Sequence, residues 1–187
     1  VKIGMLSSAP IVGVVAERLR AHRPPAIVLD PVMIAKSGDP LLRPDARAVL
    51  VHDLLPLADL VTPNLHEAGA LAEMTVTSEA DMEEAARRIQ RRGARRVLVK
   101  GGHLPDSATD LLWDGRALTR FPAPHLESDN THGTGCTFSS AIAAGLAHGR
   151  PLEEAVREAK AYVTAAIREG FAAGRGVGAL RHFVACW

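Results

Sequence analysis

Four apolar runs in this 187-residue chain end in side chains able to do chemistry. Lys2-Ile3-Gly4 runs into Met5, and Ala26-Ile27-Val28-Leu29 into Asp30. Asp59-Leu60-Val61 leads to Thr62-Pro63-Asn64, and Arg96-Val97-Leu98-Val99 to Lys100-Gly101-Gly102-His103. Glu67 follows Asn64 by three residues, on the same face of a helix start. Two acids, an amide and a lysine beside a glycine pair make the inventory of a phosphate and Mg²⁺ site, because Mg²⁺ is usually held by one or two carboxylates, waters and substrate phosphates. Each residue also has an ordinary reading. Asp30 could be a turn residue before Pro31, Glu67 an acid complementing a helix dipole, and Lys100 an exposed strand end. The glycines after it argue for close approach of backbone to a partner such as a phosphate.

A fifth stretch, Asp129-Asn130-Thr131-His132-Gly133-Thr134-Gly135-Cys136-Thr137, precedes Phe138-Ser139-Ser140-Ala141-Ile142, which reads as a buried helix. The amides of Gly133, Thr134, Gly135 and Cys136 fall at the helix opening, where N–H groups lack intrahelical acceptors and the helix dipole favours an anion. A thiol at such a place is favoured as thiolate. Elsewhere a cysteine is more often a small buried hydrophobe. Cys136 could be a covalent nucleophile, with His132 as its partner, or a base for a substrate hydroxyl. His132 is adjacent in sequence and no Asn or Asp is clearly placed to orient it. Phosphoryl transfer fits the whole set better, since the protein there positions groups, stabilises charge and helps activate the attacking hydroxyl.

The elements that must carry these residues alternate. Val1–Leu6 reads as a strand, 11–22 as a helix stopped by Pro24-Pro25, 26–30 as a strand, and 44–54 as a helix with Pro in its first turn. A third strand over 58–64 precedes a helix over 65–74. Ser78 with Asp81 forms a capping box. It opens a helix with Met82, Ala85, Ala86 and Ile89 inward, Glu83–Arg87 and Glu84–Arg88 pairs outward, and Gly93 beyond its end. A strand over 96–102 and a hairpin turning at Asp114-Gly115 follow. The last helix, from Pro151 to Gly170, points Leu152, Ala155, Val156, Ala159, Tyr162, Val163, Ala166 and Ile167 inward. Strands alternating with helices predict an α/β domain with a largely parallel sheet, whose ligands lie beyond the carboxyl ends of the strands. Neither an internal repeat nor a linker is visible, so 1–187 reads as a single domain.

Composition excludes several classes. Hydrophobic residues make up 47%, charged residues 23%, and the net charge is +1, as in a folded soluble domain. Near-neutral charge and 4% aromatic content give no footing for nucleic acid. The arginines at 87, 88, 91, 92, 95 and 96 read as a solvated face. No run approaches the ~18–20 apolar residues of a membrane span, and no leader is visible. Cys136 and Cys186 fit no metal spacing, which suits a reducing, cytoplasmic setting. Val1 opens inside a strand pattern, so the chain is expected to be a fragment, a processed piece or an incomplete reading frame.

Together, "KIGML", "IVLDPVMIAKSGDPLL", "DLVTPNLHEA", "VLVKGGH" and "THGTGCTFSSAIAAGLAHG" resemble the hydroxymethylpyrimidine/phosphomethylpyrimidine kinases of thiamine biosynthesis, members of the ribokinase-like superfamily. The match runs in order to the terminal "GRGVGALRHF". The resemblance implies a three-layer α/β/α fold with a mostly parallel central sheet, truncated at its N-terminus. A glycine-rich G-x-D-x-S-G-G-A-G segment and its flanking strand, which open the family pattern, are absent. It implies that ATP phosphorylates 4-amino-5-hydroxymethyl-2-methylpyrimidine and then its monophosphate. Cys136 would act as base, with the amides of Gly133, Thr134, Gly135 and Cys136 as anion hole. Asp30 and Glu67 would organise Mg²⁺, with Asn64 beside them. Lys100 and Gly102 would touch ATP phosphates, and Asn64 and Thr62 would complete the nucleotide side. Met5 and Val32 would contact the pyrimidine. Superfamily members often dimerise, so a homodimer is compatible with the resemblance. If the chain is the whole polypeptide, exposed apolar sheet surface and weak or no turnover are expected. Three rivals remain: a pyridoxal kinase of the same superfamily, a thiazole kinase, which lacks this set of motifs, and a non-catalytic pyrimidine-binding module. Lys36-Ser37-Gly38-Asp39 reads as a loop near the phosphates or as a surface turn.

Overall fold

The computed structural model describes residues 1–34, 40–102, 104, 108–126, 128–172 and 174–184. Lys36-Ser37-Gly38-Asp39, His103 and Cys186 lie outside the described residues. The chain divides into two compact units, Val1–Pro122 and Ala123–Trp187.

The first unit is built on a six-stranded sheet of β1 (Lys2–Ile3), β2 (Val28–Leu29), β3 (Leu60–Val61), β4 (Val97–Val99), β5 (Asp110–Trp113) and β6 (Leu118–Phe121), in that spatial order. The pairs β1–β2, β2–β3 and β3–β4 are parallel. The β4–β5 and β5–β6 pairs are antiparallel. The expected hairpin is β5–β6, and Asp114 Oδ1 closes its turn by accepting the Arg116 and Ala117 amides at 2.7 and 2.8 Å. The crossovers are helical, as parallel neighbours require. Helix α1 (Ala9–His22) joins β1 to β2, and α2 (Pro44–Val49) lies between β2 and β3. Helices α3 (Leu65–Ala72) and α4 (Glu79–Arg91) lie between β3 and β4.

Leu29, Val61, Val97, Val99, Leu111 and Trp113 face one core with the buried sides of α1–α4. Val28, Leu60, Leu98 and Leu112 alternate with them and are just as buried. Strands buried on both faces explain why the sequence runs are continuously apolar instead of alternating. The helix expected over 44–54 is α-helical only to Val49. A π turn (Leu50–Leu54) and a 3-10 turn (Leu55–Leu57) continue it. Pro56, with no N–H, cannot extend an i→i−4 ladder there. The expected α4 is found in full. Ser78 and Asp81 form the capping box, Met82, Ala85, Ala86 and Ile89 are buried, and both Glu–Arg pairs form.

In the second unit, α5 (Thr134–Ala147) and α6 (Leu152–Arg168) pack together. Ala155, Val156, Ala159, Tyr162, Val163 and Ala166 of α6 are buried, whereas Leu152 and Ile167, also expected inward, are half-buried.

Candidate active site

The sheet ladder runs one residue beyond the first parallel strands and places the chemistry on their carboxyl rim. The Asp30 amide donates to Ile3 O at 2.9 Å, the Thr62 amide to Leu29 O at 2.9 Å, and the Lys100 amide to Pro63 O at 2.8 Å. Asp30, Thr62 and Lys100 are therefore held by main-chain bonds at successive strand ends.

Their side chains meet. Asp30 is 1% exposed. Its Oδ1 accepts from Lys100 Nζ at 2.8 Å and from Thr62 Oγ1 at 3.3 Å. Lys2 Nζ stands 4.0 Å from Oδ2. Thr62 is fully buried, so its hydroxyl bears on the site through Asp30. Asn64 opens α3 as its N-cap. Asn64 Oδ1 accepts the Glu67 amide at 2.9 Å, and Glu67 Oε2 accepts the Asn64 amide at 2.8 Å. Glu67 is thus the helix-start acid of its ordinary reading and also a buried carboxylate among the rim charges. Burial pushes its carboxyl above the usual range and the negative charge of Asp30 adds to the rise, while Lys100 and the Asn64 and Met33 backbone pull the other way. Two neighbouring carboxylates, one raised by its surroundings, suit a divalent cation with hard oxygen ligands. Among the described residues no cluster of three or more His, Cys, Asp or Glu side chains forms an all-protein metal cage.

The glycine pair after Lys100 divides in role. A Cβ on Gly101 would lie 1.9 Å from Thr109 O. Its amide donates to Asp110 Oδ1 at 2.9 Å. Gly101 is therefore demanded by the packing of β4 on β5. Gly102 is exposed, and a Cβ added there would meet nothing within 4 Å, so its backbone stays open to a ligand. Met5 is 52% exposed just past β1, and Val32 is half-buried just past Asp30.

The second unit carries the helix opening. Gly133 is the N-cap of α5 at φ 83, a left-handed conformation that favours glycine. The first helical bond is Thr137 N to Gly133 O at 2.8 Å, so the Gly135 and Cys136 amides have no acceptor within the helix. The Thr134 amide turns back to Thr131 O at 3.4 Å, and its hydroxyl donates to the same oxygen at 2.8 Å. Cys136 is exposed. It lines an open groove of about 410 Å³ with Thr137, Ser140, Ala141, Ala144, Tyr162 and His182. The Tyr162 hydroxyl donates to His182 O at 3.0 Å.

The model of one family, phosphomethylpyrimidine kinase, matches residues 1–181. The chain belongs to this family. A hydroxymethylpyrimidine/phosphomethylpyrimidine kinase of Rhizobium meliloti is 52% identical over the whole chain and 71% of that protein's length. The thiamine biosynthesis bifunctional protein ThiED of Geobacter sulfurreducens is 51% identical over 99% of the chain, which spans 38% of that protein. Among solved structures, the ADP complex of Bacillus subtilis pyridoxal kinase superposes with a TM-score of 0.90 at 38% identity, covering 97% of this chain and 69% of that one. Clostridium difficile phosphomethylpyrimidine kinase superposes with 0.78 at 39% identity, covering 89% of this chain and 68% of the other. The fold of this phosphomethylpyrimidine kinase family member is ribokinase-like, as the motif order implied.

Lys2 escaped the reading of strand ends because it sits inside a run, not after one. A lysine within a buried strand needs a counter-charge, and that requirement could have found it. Tyr162 and His182, beside Cys136, were hidden for a different reason. Helical spacing assigns Tyr162 to the core of α6, and His182 lies past the last helix.

Proposed function

We propose that the chain transfers the γ-phosphoryl group of ATP to the hydroxymethyl oxygen of 4-amino-5-hydroxymethyl-2-methylpyrimidine, and a second one to the resulting monophosphate, in thiamine biosynthesis. The supporting observation is the buried Asp30–Lys100–Glu67 cluster at the carboxyl rim of parallel strands, in a chain whose family match runs from 1 to 181.

The roles are those the family resemblance implies, and the charge and exposure of the residues support them. Lys100 places its ammonium on the nucleotide phosphates, with the exposed backbone of Gly102 alongside. Asp30 and Glu67 would hold Mg²⁺, directly or through water, and the bound ion would neutralise phosphate charge. Thr62 fixes the Asp30 carboxylate, and Asn64 fixes that of Glu67. Met5 and Val32 supply apolar contact to the pyrimidine. The amides of Gly135 and Cys136 receive the transferred phosphoryl oxygens, with Gly133 and Thr134 shaping the turn. Cys136 Sγ accepts the proton of the substrate hydroxyl as the oxygen attacks phosphorus.

A second reading, pyridoxal phosphorylation, is favoured by the superposition on Staphylococcus aureus pyridoxal kinase with AMP-PCP and pyridoxal, at a TM-score of 0.89 and 38% identity. Steady-state phosphorylation of the two alcohols by the protein separates them. A higher kcat/KM for the hydroxymethylpyrimidine is expected, and a higher value for pyridoxal would replace the first reading with the second.

A further inference from the structure

Lys2 has no part in the roles above, yet its placement is specific. Its side chain is only 19% exposed. The ammonium climbs along β1 until it lies over Gly4, where an added methyl would meet Nζ at 2.7 Å. From there Nζ stands 4.0 Å from Asp30 Oδ2, while Lys100 holds Oδ1 at 2.8 Å. Among the described residues Nζ makes no hydrogen bond. An ammonium this deep is tolerated where a counter-charge is at hand, and Asp30 is that charge.

Among the described residues, Asp30 is therefore shared by two lysines, one on each oxygen. A lysine that must reach nucleotide phosphates cannot also stay at 2.8 Å from Asp30 unless the phosphate lies against both. Its departure would take from a 1%-exposed carboxylate the nearer of the two lysines that face it among the described residues. We propose that Lys2 is a positioning residue of the phosphoryl-transfer site: it balances and holds Asp30 so that Lys100 is free to turn to a bound nucleotide. The inference rests on the reading of Lys100 as a phosphate ligand.

The test is ADP binding by calorimetry together with steady-state kinetics. Lys2→Met is expected to weaken ADP binding and raise the nucleotide KM by about tenfold, at the low end of what an opposite charge about 4–6 Å away contributes. The pyrimidine KM should hold, and Lys2→Arg should restore most of the loss. In an Asp30→Asn background, Lys2→Met should add little, because its action runs through Asp30. Gly4→Ala, which keeps both charges and displaces only the ammonium, should weaken ADP binding in the same direction by less, and it carries the test if Lys2→Met does not fold. Unchanged ADP binding in Lys2→Met, or in Gly4→Ala where that variant carries the test, overturns the proposal. So does a Lys2→Met loss that persists in full beside Asp30→Asn, or a Lys2→Arg variant as weak as Lys2→Met. Lys100→Met separates the two levels. If it leaves ADP affinity intact, the underlying reading fails. If it weakens ADP binding while Lys2→Met does not, only the role of Lys2 fails.

Discussion

Asp30→Asn probes whether the rim cluster is an electrostatic unit. The substitution preserves size, and the amide oxygen can still accept from Thr62 Oγ1, now at 3.3 Å from Asp30 Oδ1. What it removes is the charge facing Lys100 Nζ at 2.8 Å and Lys2 Nζ at 4.0 Å. The Asp30 side chain is 2% exposed and those of the two lysines 14% and 19%, so water replaces little of the loss. Removing one member of a buried pair costs about 3–5 kcal/mol. The lysines keep an edge of solvent, which puts the expected loss at the lower end. For a domain of this size, about 3 kcal/mol corresponds to a fall in Tm of about 6–12 °C. Scanning calorimetry of wild type and variant at neutral pH, at low and high salt, reads it directly. The loss should largely survive salt, because buried pairs are screened much less than exposed ones. Adding Lys100→Met should recover part of the loss by removing the uncompensated ammonium, so the two changes should be non-additive. A variant melting within about 2 °C of wild type, well short of the shift expected from the entropy of unfolding, or strict additivity with Lys100→Met, would refute the account of Asp30 as the anchor of the cluster.

Four further outcomes are expected. The Glu67 carboxyl is raised, foremost by burial, so the folded chain holds that proton more tightly than the unfolded chain does. Stability from this group is complete below the ordinary value of 4.5 and is lost as pH climbs through the folded value. Urea unfolding of wild type against Glu67→Gln should thus show wild type losing ground as pH rises above that value, and parallel pH profiles would contradict it. Gly101→Ala should cost about 2–5 kcal/mol in urea unfolding, through backbone overlap and loss of the bond to Asp110. Gly102→Ala, with open space around it, should stay within about 0.5 kcal/mol of wild type. Cys136→Ala should slow the first phosphorylation by about 10²–10⁴-fold, the usual share of a general base. It should slow the second much less, because a phosphate monoester with a second pKa near about 6 is already ionised at neutral pH and offers no hydroxyl proton to remove. Equal losses in the two steps, measured with each substrate supplied separately, would take the base role from Cys136.

The parallel part of the sheet was legible because both faces of its strands are buried. Continuous apolar runs such as Val97–Val99 then end abruptly at the rim, and the first polar residue after each run marks the carboxyl end. That is why Asp30, Thr62, Asn64 and Lys100 could be picked out without coordinates. What spacing could not supply was the purpose of each residue once gathered. Glu67 looked like a choice between a helix-start acid and a rim acid, and it is a capping residue whose buried carboxyl also feels Asp30 and Lys100. The two glycines after Lys100 looked alike, but the first is dictated by the Thr109 carbonyl, brought against it where β5 returns beside β4, a contact that no local pattern encodes. Lys2 is the sharper case. A period-based reading treats a strand lysine as an outward-facing residue, yet its ammonium is drawn along the strand toward a carboxylate supplied by another strand. Charge balance, not periodicity, is the information that finds it. A rim that gathers Asp30 and Glu67 must also gather cations, and counting them in the sequence requires knowing which strands are neighbours.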